Sequence, residues 1–164
     1  MKIATLSEYA KHKDGTYVSL EMRNDSRELL DHFVEMNLGL TERVDPKSYH
    51  ITVIYSRTPV PAAETLATKT TAIATAVKYE VFPTKDNGKC LVLRVESRNA
   101  AYLNKWLTDH GATSDYDSYK PHVTICYDYK GDEDVSGLPL PQFPLSFDVV
   151  NVAPLDPQFT PSNK

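Results

Sequence analysis

Hydrophobic and polar residues alternate along Tyr17–Met22 with the period of two that a half-buried strand requires. After Asn24 the period lengthens to that of a helix. Leu29, Leu30, Phe33, Val34 and Met36 recur at helical spacing, Asn24-Asp25-Ser26 offers N-cap side chains, Glu28 brings early negative charge, and Gly39 ends the run. A polar loop broken at Asp45-Pro46 leads to His50-Ile51-Thr52-Val53-Ile54-Tyr55, whose β-branched residues predict a second strand. A short helix is expected within 62–70, then a strand from Ala72 to Phe82 with Val77, Tyr79 and Val81 on one face. Asp86-Asn87-Gly88 marks a hairpin turn, and Cys90–Val95 returns as the paired strand. Ser97–Ala112 predicts a second helix with Leu103, Trp106 and Leu107 as its stripe and Gly111 as its stop. A Tyr-, Asp- and Ser-rich loop precedes another strand, His122–Tyr127. Residues 130–144 form a Gly/Pro/acidic loop, 145–152 a last strand, and 154–164 a tail.

The order strand, helix, loop, strand therefore occurs twice, over about 17–55 and 90–127. Tyr-His-Ile-Thr-Val-Ile-Tyr at 49–55 aligns with Pro-His-Val-Thr-Ile-Cys-Tyr at 121–127, and the two histidines are 122 − 50 = 72 residues apart. The pattern predicts an α+β fold with two pseudo-symmetric βαβ-type lobes. Helices lie outside and a central cleft lies between the lobes, all within one domain spanning 1–164.

Residues i and i+2 of a strand share a face. His50 and Thr52 are thus expected to point one way, as are His122 and Thr124, with Ile51, Val53, Val123 and Ile125 packed behind them. The same alternation assigns Cys126 to the His122 face and turns Tyr55 and Tyr127 away from it. Pseudo-symmetric packing would gather two imidazoles and two hydroxyls around one point. Histidine titrates near neutrality, so one imidazole can take a proton while the other gives one. Threonine hydroxyls can hold non-bridging phosphate oxygens. Such a set suits phosphodiester cleavage, with a ribose 2′-hydroxyl as a ready internal nucleophile. One His-x-Thr carries no information, whereas two at equivalent repeat positions are specific.

These paired motifs, on duplicated lobes covering about residues 16–152, resemble the 2H phosphoesterase superfamily. Within it the compact form is most similar to the phage anti-CBASS phosphodiesterases, which destroy cyclic di- and trinucleotide signals of a bacterial defence system. The Tyr17-led first strand, the Tyr-rich run before the second motif and a Pro-Leu-Asp near the C-terminus carry that narrower likeness. The resemblance implies that His50 and His122 are the acid/base pair, in an order left open, and that Thr52 and Thr124 orient the phosphate. Cleavage would yield a linear product through a 2′,3′-cyclic phosphate, without metal or cofactor. RNA 2′,3′-cyclic phosphodiesterase or 2′,5′-oligoadenylate phosphodiesterase activity is the alternative within the superfamily. Outside these, the alternatives are an RNA-end ligase and a sponge that binds cyclic nucleotides without cutting them.

Other residues are weighed against this site. Tyr17, Tyr116 and Tyr119 are candidate platforms for nucleobases, and Lys120 a candidate phosphate contact. Phe82 and Tyr79 are further candidates for the cleft wall. His12 is expected on the surface within a basic stretch, and His32 and His110 on helix surfaces. Trp106, Cys90 and Cys126 are expected in the core.

Composition narrows the partners. The net charge of −4 disfavours a protein that coats long DNA or RNA, because phosphate neutralisation supplies most of that affinity. A small cyclic oligonucleotide remains compatible, and no obligate protein partner is evident. No run of eighteen apolar residues is present and the first ten residues lack an apolar signal core. No Cys-x-x-Cys or His-x-x-x-His pair suggests a metal site. A cytoplasmic protein is expected, in the host bacterium if phage-encoded.

Overall fold

The computed structural model describes residues 6–159 and 163. Its elements are α1 (Leu6–Lys11), β1 (Thr16–Met22), α2 (Asn24–Asn37), β2 (His50–Ser56), β3 (Lys69–Pro83), β4 (Lys89–Glu96), α3 (Arg98–Asp109), β5 (His122–Cys126) and β6 (Leu145–Pro154). Short 3₁₀ turns stand at Pro46–Ser48 and Pro61–Thr65. The second of these, followed at once by β3, replaces the helix expected within 62–70. Proline at the start of each turn supplies the fixed φ that the turn needs.

Among the described residues, six strands form one sheet in the order β2-β1-β6-β3-β4-β5, and every neighbouring pair is antiparallel. The repeat is therefore β2-β1-β6 followed by its mirror in order, β5-β4-β3. The strands flanking each helix are antiparallel neighbours, not the parallel pair of a true βαβ unit. β3 belongs to both halves: residues 69–74 pair with β6 and residues 75–83 with β4. Its register shifts between Ala76 and Lys78. Ala72 and Ala74 are buried before that shift and Tyr79 after it, so the inward face passes from even to odd positions. Val77, expected to share a face with Tyr79 and Val81, stands at the irregularity and is exposed.

β2 and β5 lie at opposite ends of the strand order yet pack against each other, so the sheet curls until its two edges meet. α3 packs on β2 and β3, and α2 packs on β6 and the Pro46–Ser48 turn. Leu30, Val34, Leu107, Ile51, Val53, Val123 and Ile125 meet in one core, each at most 1% exposed. Each such side chain contributes about 1.5–3 kcal/mol of burial free energy.

Several local expectations need correction. Ser97 caps α3 by accepting from the Ala100 N–H, as a β-region serine at that position should. At α2, Arg23 occupies the cap position without a side-chain bond, and Asp25 pairs with Arg23 instead. Ser26 is buried and accepts from Ser146 N–H of β6, so this serine staples helix to sheet. Leu29 and Met36 are exposed, which narrows the α2 stripe to Leu30, Phe33 and Val34. His12 is fully buried between Glu64 (2.8 Å) and Thr16 (2.9 Å) rather than solvated. The segment after β6 also docks: Leu155 is buried, its N–H bonds the Gly15 carbonyl, and Asn163 bonds both backbone groups of Tyr127. Gly15 holds a φ of +123°, and a Cβ there would collide with the Ser56 carbonyl oxygen.

Candidate active site

β2 and β5 repeat one burial pattern. Along His50-Ile51-Thr52-Val53-Ile54-Tyr55 and along His122-Val123-Thr124-Ile125-Cys126-Tyr127, the first, third and sixth residues are half-buried and the others buried. Two consecutive buried positions break the strand alternation, and the register gives the reason. Val18 pairs with Ile54 and Ser19 with Thr52, so Val53 has no partner on β1. Leu91 pairs with Cys126 and Val92 with Thr124, so Ile125 has none on β4. A β-bulge thus follows the threonine in each copy.

The bulge reverses three expectations. Tyr55 and Tyr127 swing onto the His/Thr face, and Cys126 turns into the core with its counterpart Ile54. Tyr55 meets Tyr17 edge to face with ring centroids 6.4 Å apart. The Tyr127 hydroxyl lies near enough to Thr124 and Tyr17 for both to bear on its proton. Burial raises the pKa of both Tyr17 and Tyr127, so both stay protonated donors.

Each bulge carbonyl is satisfied from the other copy. Val53 O accepts from the Asn104 side-chain amide of α3 at 2.9 Å. Ile125 O accepts from the Val44 N–H, in the loop after α2, at 2.8 Å. Tyr119 adds a third crossing bond by donating to Thr52 O at 2.9 Å. Arg57–Asp115 (2.9 Å) and Ser56 Oγ accepting from Thr113 N–H (3.0 Å) tie the end of β2 to the loop before β5.

His50 Nδ1 bonds Ser48 O at 2.6 Å, and His122 Nδ1 bonds Lys120 O at 2.8 Å. A carbonyl can only accept, so each neutral ring carries its proton on Nδ1 and leaves Nε2 for chemistry. Burial holds the His122 pKa below its ordinary value; His50 and Arg94 lower it further, while the Lys120 carbonyl and Glu80 oppose the shift. The two imidazoles are thus close enough to sense each other's charge. Phe82 stands edge-on to His122 with centroids 5.0 Å apart. Tyr17 shares a 3.0 Å hydrogen bond with Thr52 Oγ1.

The remaining candidates separate. Tyr17 is half-buried on the His/Thr face, bonded to Thr52 and edge-on to Tyr55. Tyr119 is half-buried with its hydroxyl committed to β2, so it braces the motif strand. Tyr116 and Lys120 are exposed in the 113–121 loop. Tyr79 is buried and donates to Pro139 O, which removes it from the cleft wall.

Sequence reading missed the bulges and two cross-strand partners. Glu21 lies opposite His50, and Arg94 opposite His122. Arg94 donates to Glu80 at 2.8 Å, and Lys78 pairs with the same carboxylate at 3.0 Å. The missed signal was the apolar pair Val53-Ile54, matched by Ile125-Cys126, at the end of each alternating run. Among the described residues, no group of three or more His, Cys, Asp or Glu side chains could hold a metal ion. Among the same residues, no helix is long and apolar enough to cross a membrane.

A family model described as anti-CBASS protein Acb1 matches residues 14–162. The chain is 31% identical over 114 residues to the Acb1 protein of Vibrio phage KVP40, covering 70% of this chain and 73% of that one. It is 35% identical over 124 residues to that of Escherichia phage RB16 (76% and 69% covered). For Enterobacteria phage T4 the figures are 28% over 122 residues (74% and 78%). Among solved structures, TT0787 of Thermus thermophilus superposes with a TM-score of 0.60 at 13% identity, covering 84% of this chain and 86% of that one. LigT of E. coli, complexed with NADP+, gives 0.53 at 17%, covering 84% and 85%. These two likenesses establish the shared 2H phosphoesterase fold.

Proposed function

The chain belongs to the anti-CBASS protein Acb1 family, and we propose that it is a metal-independent phosphodiesterase that opens cyclic di- and trinucleotide signals. Residues 1–164 act as one domain in the host bacterial cytoplasm, and the reaction silences the CBASS anti-phage defence. The observation that carries this reading is the duplicated His-x-Thr-bulge strand, carried on two edge strands that pack together, with each ring bonded through Nδ1 and its Nε2 left open.

The chemistry follows from those groups. One imidazole removes the proton of a ribose 2′-hydroxyl, whose oxygen attacks the adjacent phosphorus. The other imidazole protonates the departing 5′-oxygen, and a 2′,3′-cyclic phosphate forms. Each such proton transfer is worth about 10²- to 10⁴-fold in rate. Thr52 and Thr124 hold the non-bridging oxygens, where charge concentrates in the transition state. Tyr17, hydrogen-bonded to Thr52, fixes that hydroxyl's direction and offers its ring to a base.

The test is chromatography of 3′,3′-cyclic GMP-AMP incubated with the protein in EDTA, beside the His50→Ala/His122→Ala variant. A linear product from the unaltered protein alone supports the reading. An intact ring sinks it: turnover of 2′,5′-linked or 2′,3′-cyclic substrates would then move the assignment to RNA ends or oligoadenylate. Tight binding without any turnover would identify a sponge.

A further inference from the structure

The two copies of the motif share a backbone but not the charge beside each imidazole. On β1, Glu21 is the cross-strand partner of His50. At the equivalent place on β4, Arg94 is the cross-strand partner of His122. Cross-strand partners share a sheet face with Cβ atoms about 4.5–5.5 Å apart. A carboxylate therefore faces one ring and a guanidinium the other.

Among the described residues, the charged groups acting on His122 come from three strands. β4 presents Arg94, whose Nε is buried without a hydrogen-bond partner among the described residues. β3 presents Glu80, but that carboxylate is already shared between Arg94 (2.8 Å) and Lys78 (3.0 Å) and is further neutralised by Lys120. β2 presents His50. Arg94, Lys78 and Lys120 together outweigh the single carboxylate of Glu80, so the net charge next to His122 is positive. Around His50 stand Glu21 from β1 and His122 from β5. The nearby charge there is negative.

From this asymmetry we infer that Arg94 and Glu21 act as positioning residues that fix the direction of proton flow, making His122 the base and His50 the acid. The inference rests on the phosphodiesterase reading above. A nearby cation disfavours an imidazolium and a nearby carboxylate favours one. His122 Nε2 is then free to accept the 2′-hydroxyl proton. O2′ bonds phosphorus, the P–O5′ bond breaks, and His50 Nε2 delivers its proton to O5′. In the following hydrolysis the roles reverse. His50, now neutral, takes a proton from water, water oxygen bonds phosphorus, and His122 returns its proton to O2′. Both rings end as they began. The substrate ring accordingly binds in one orientation, with the attacking ribose against the β4–β5 side and the leaving ribose against β1–β2.

A substrate with sulfur in place of the scissile 5′-oxygen tests the assignment, because a thiolate leaves without a proton. His50→Ala should cut this linkage at close to the unaltered protein's rate while remaining about 10²- to 10⁴-fold slow on the oxygen linkage. His122→Ala should stay slow on both. Rescue of His122→Ala instead, or of neither variant, overturns the assignment. Inactivity of the unaltered protein on both linkages overturns the phosphodiesterase reading and the assignment with it. A second measurement does not depend on sulfur: in the pH profile of kcat/KM, Arg94→Gln should move the ascending limb to higher pH, and Arg94→Lys should restore it. Glu21→Gln should slow cutting of the oxygen linkage more than that of the sulfur linkage. Movement of the descending limb by Arg94→Gln, or equal slowing of both linkages by Glu21→Gln, also overturns the proposal.

Discussion

In the first half of the molecule the bulge at Val53 is held by a side-chain amide, Asn104 of α3. In the second half the bulge at Ile125 is held by the backbone N–H of Val44. The two bulges have the same form, and each is completed by the other half. The difference shows how a duplicated backbone can be kept while its supports diverge. A side-chain prop can be removed by one substitution. A backbone prop can be removed only by proline or by moving the loop.

The sharpest way to probe that comparison is to disable one half's imidazole at a time. His50→Ala and His122→Ala should each lower kcat by roughly 10²- to 10⁴-fold on the ordinary cyclic dinucleotide. If the rings act in one concerted step, the double variant should be far less impaired than the product of the two losses. Multiplicative losses in steady-state assays would mean that the halves work independently.

Removing the props comes next. Asn104→Leu leaves Val53 O buried without its donor, and Val44→Pro does the same to Ile125 O. Each should cost about 1–3 kcal/mol, read from urea midpoints at unchanged slope. Val44→Pro should be the costlier, because it also constrains the loop backbone. An unchanged midpoint for both would show that the bulges hold themselves.

The pH dependence separates the halves more gently. Burial and neighbouring positive charge hold the His122 pKa below its ordinary value of 6.5. A depressed pKa keeps the ring neutral to lower pH. As the base, His122 should therefore place the ascending limb of kcat/KM below pH 6.5. An ascending limb at or above that value would contradict the electrostatics described for β4–β5.

The smallest effect is expected from Tyr17→Phe. It removes the bond to Thr52 and leaves the ring, so about 0.5–1.5 kcal/mol, or roughly tenfold at most in kcat, is expected. Tyr127→Phe removes the corresponding hydroxyl beside Thr124. Equal losses would mean that the two threonines share the phosphate evenly, and unequal losses would rank them.

Much of this was legible in the sequence because both motifs sit in strongly β-branched strands and because the repeat fixed their equivalence. α2, α3 and the inward packing of Ile51 and Val123 followed from periodicity, and the hairpin at Asp86-Asn87-Gly88 from its turn residues, whereas α1 was not foreseen and the helix expected within 62–70 did not form. What escaped were features without a local periodic signature. A one-residue bulge inverts every later position, so strict alternation placed Tyr55, Tyr127 and Cys126 on the wrong faces. Glu21 and Arg94 became visible only once strand register was known. His12 was misread because its basic neighbours Lys11 and Lys13 say nothing about Glu64, 52 residues away.

β3 carries a last consequence. One 15-residue strand serves both halves, and its irregularity at Val77 decides which face each end presents. Side-chain period in a strand is two, so a single residue more or less flips everything beyond it. Deleting Val77 would remove the irregularity and leave Ala72, Ala74, Ala76 and Tyr79 alternating inward without a break, whereas one further residue lost or gained between Ala74 and Tyr79 would turn Tyr79 out. The spacing across the cleft is therefore written as arithmetic: an odd or even residue count between two pairings acts as the ruler, whatever side chains it passes through.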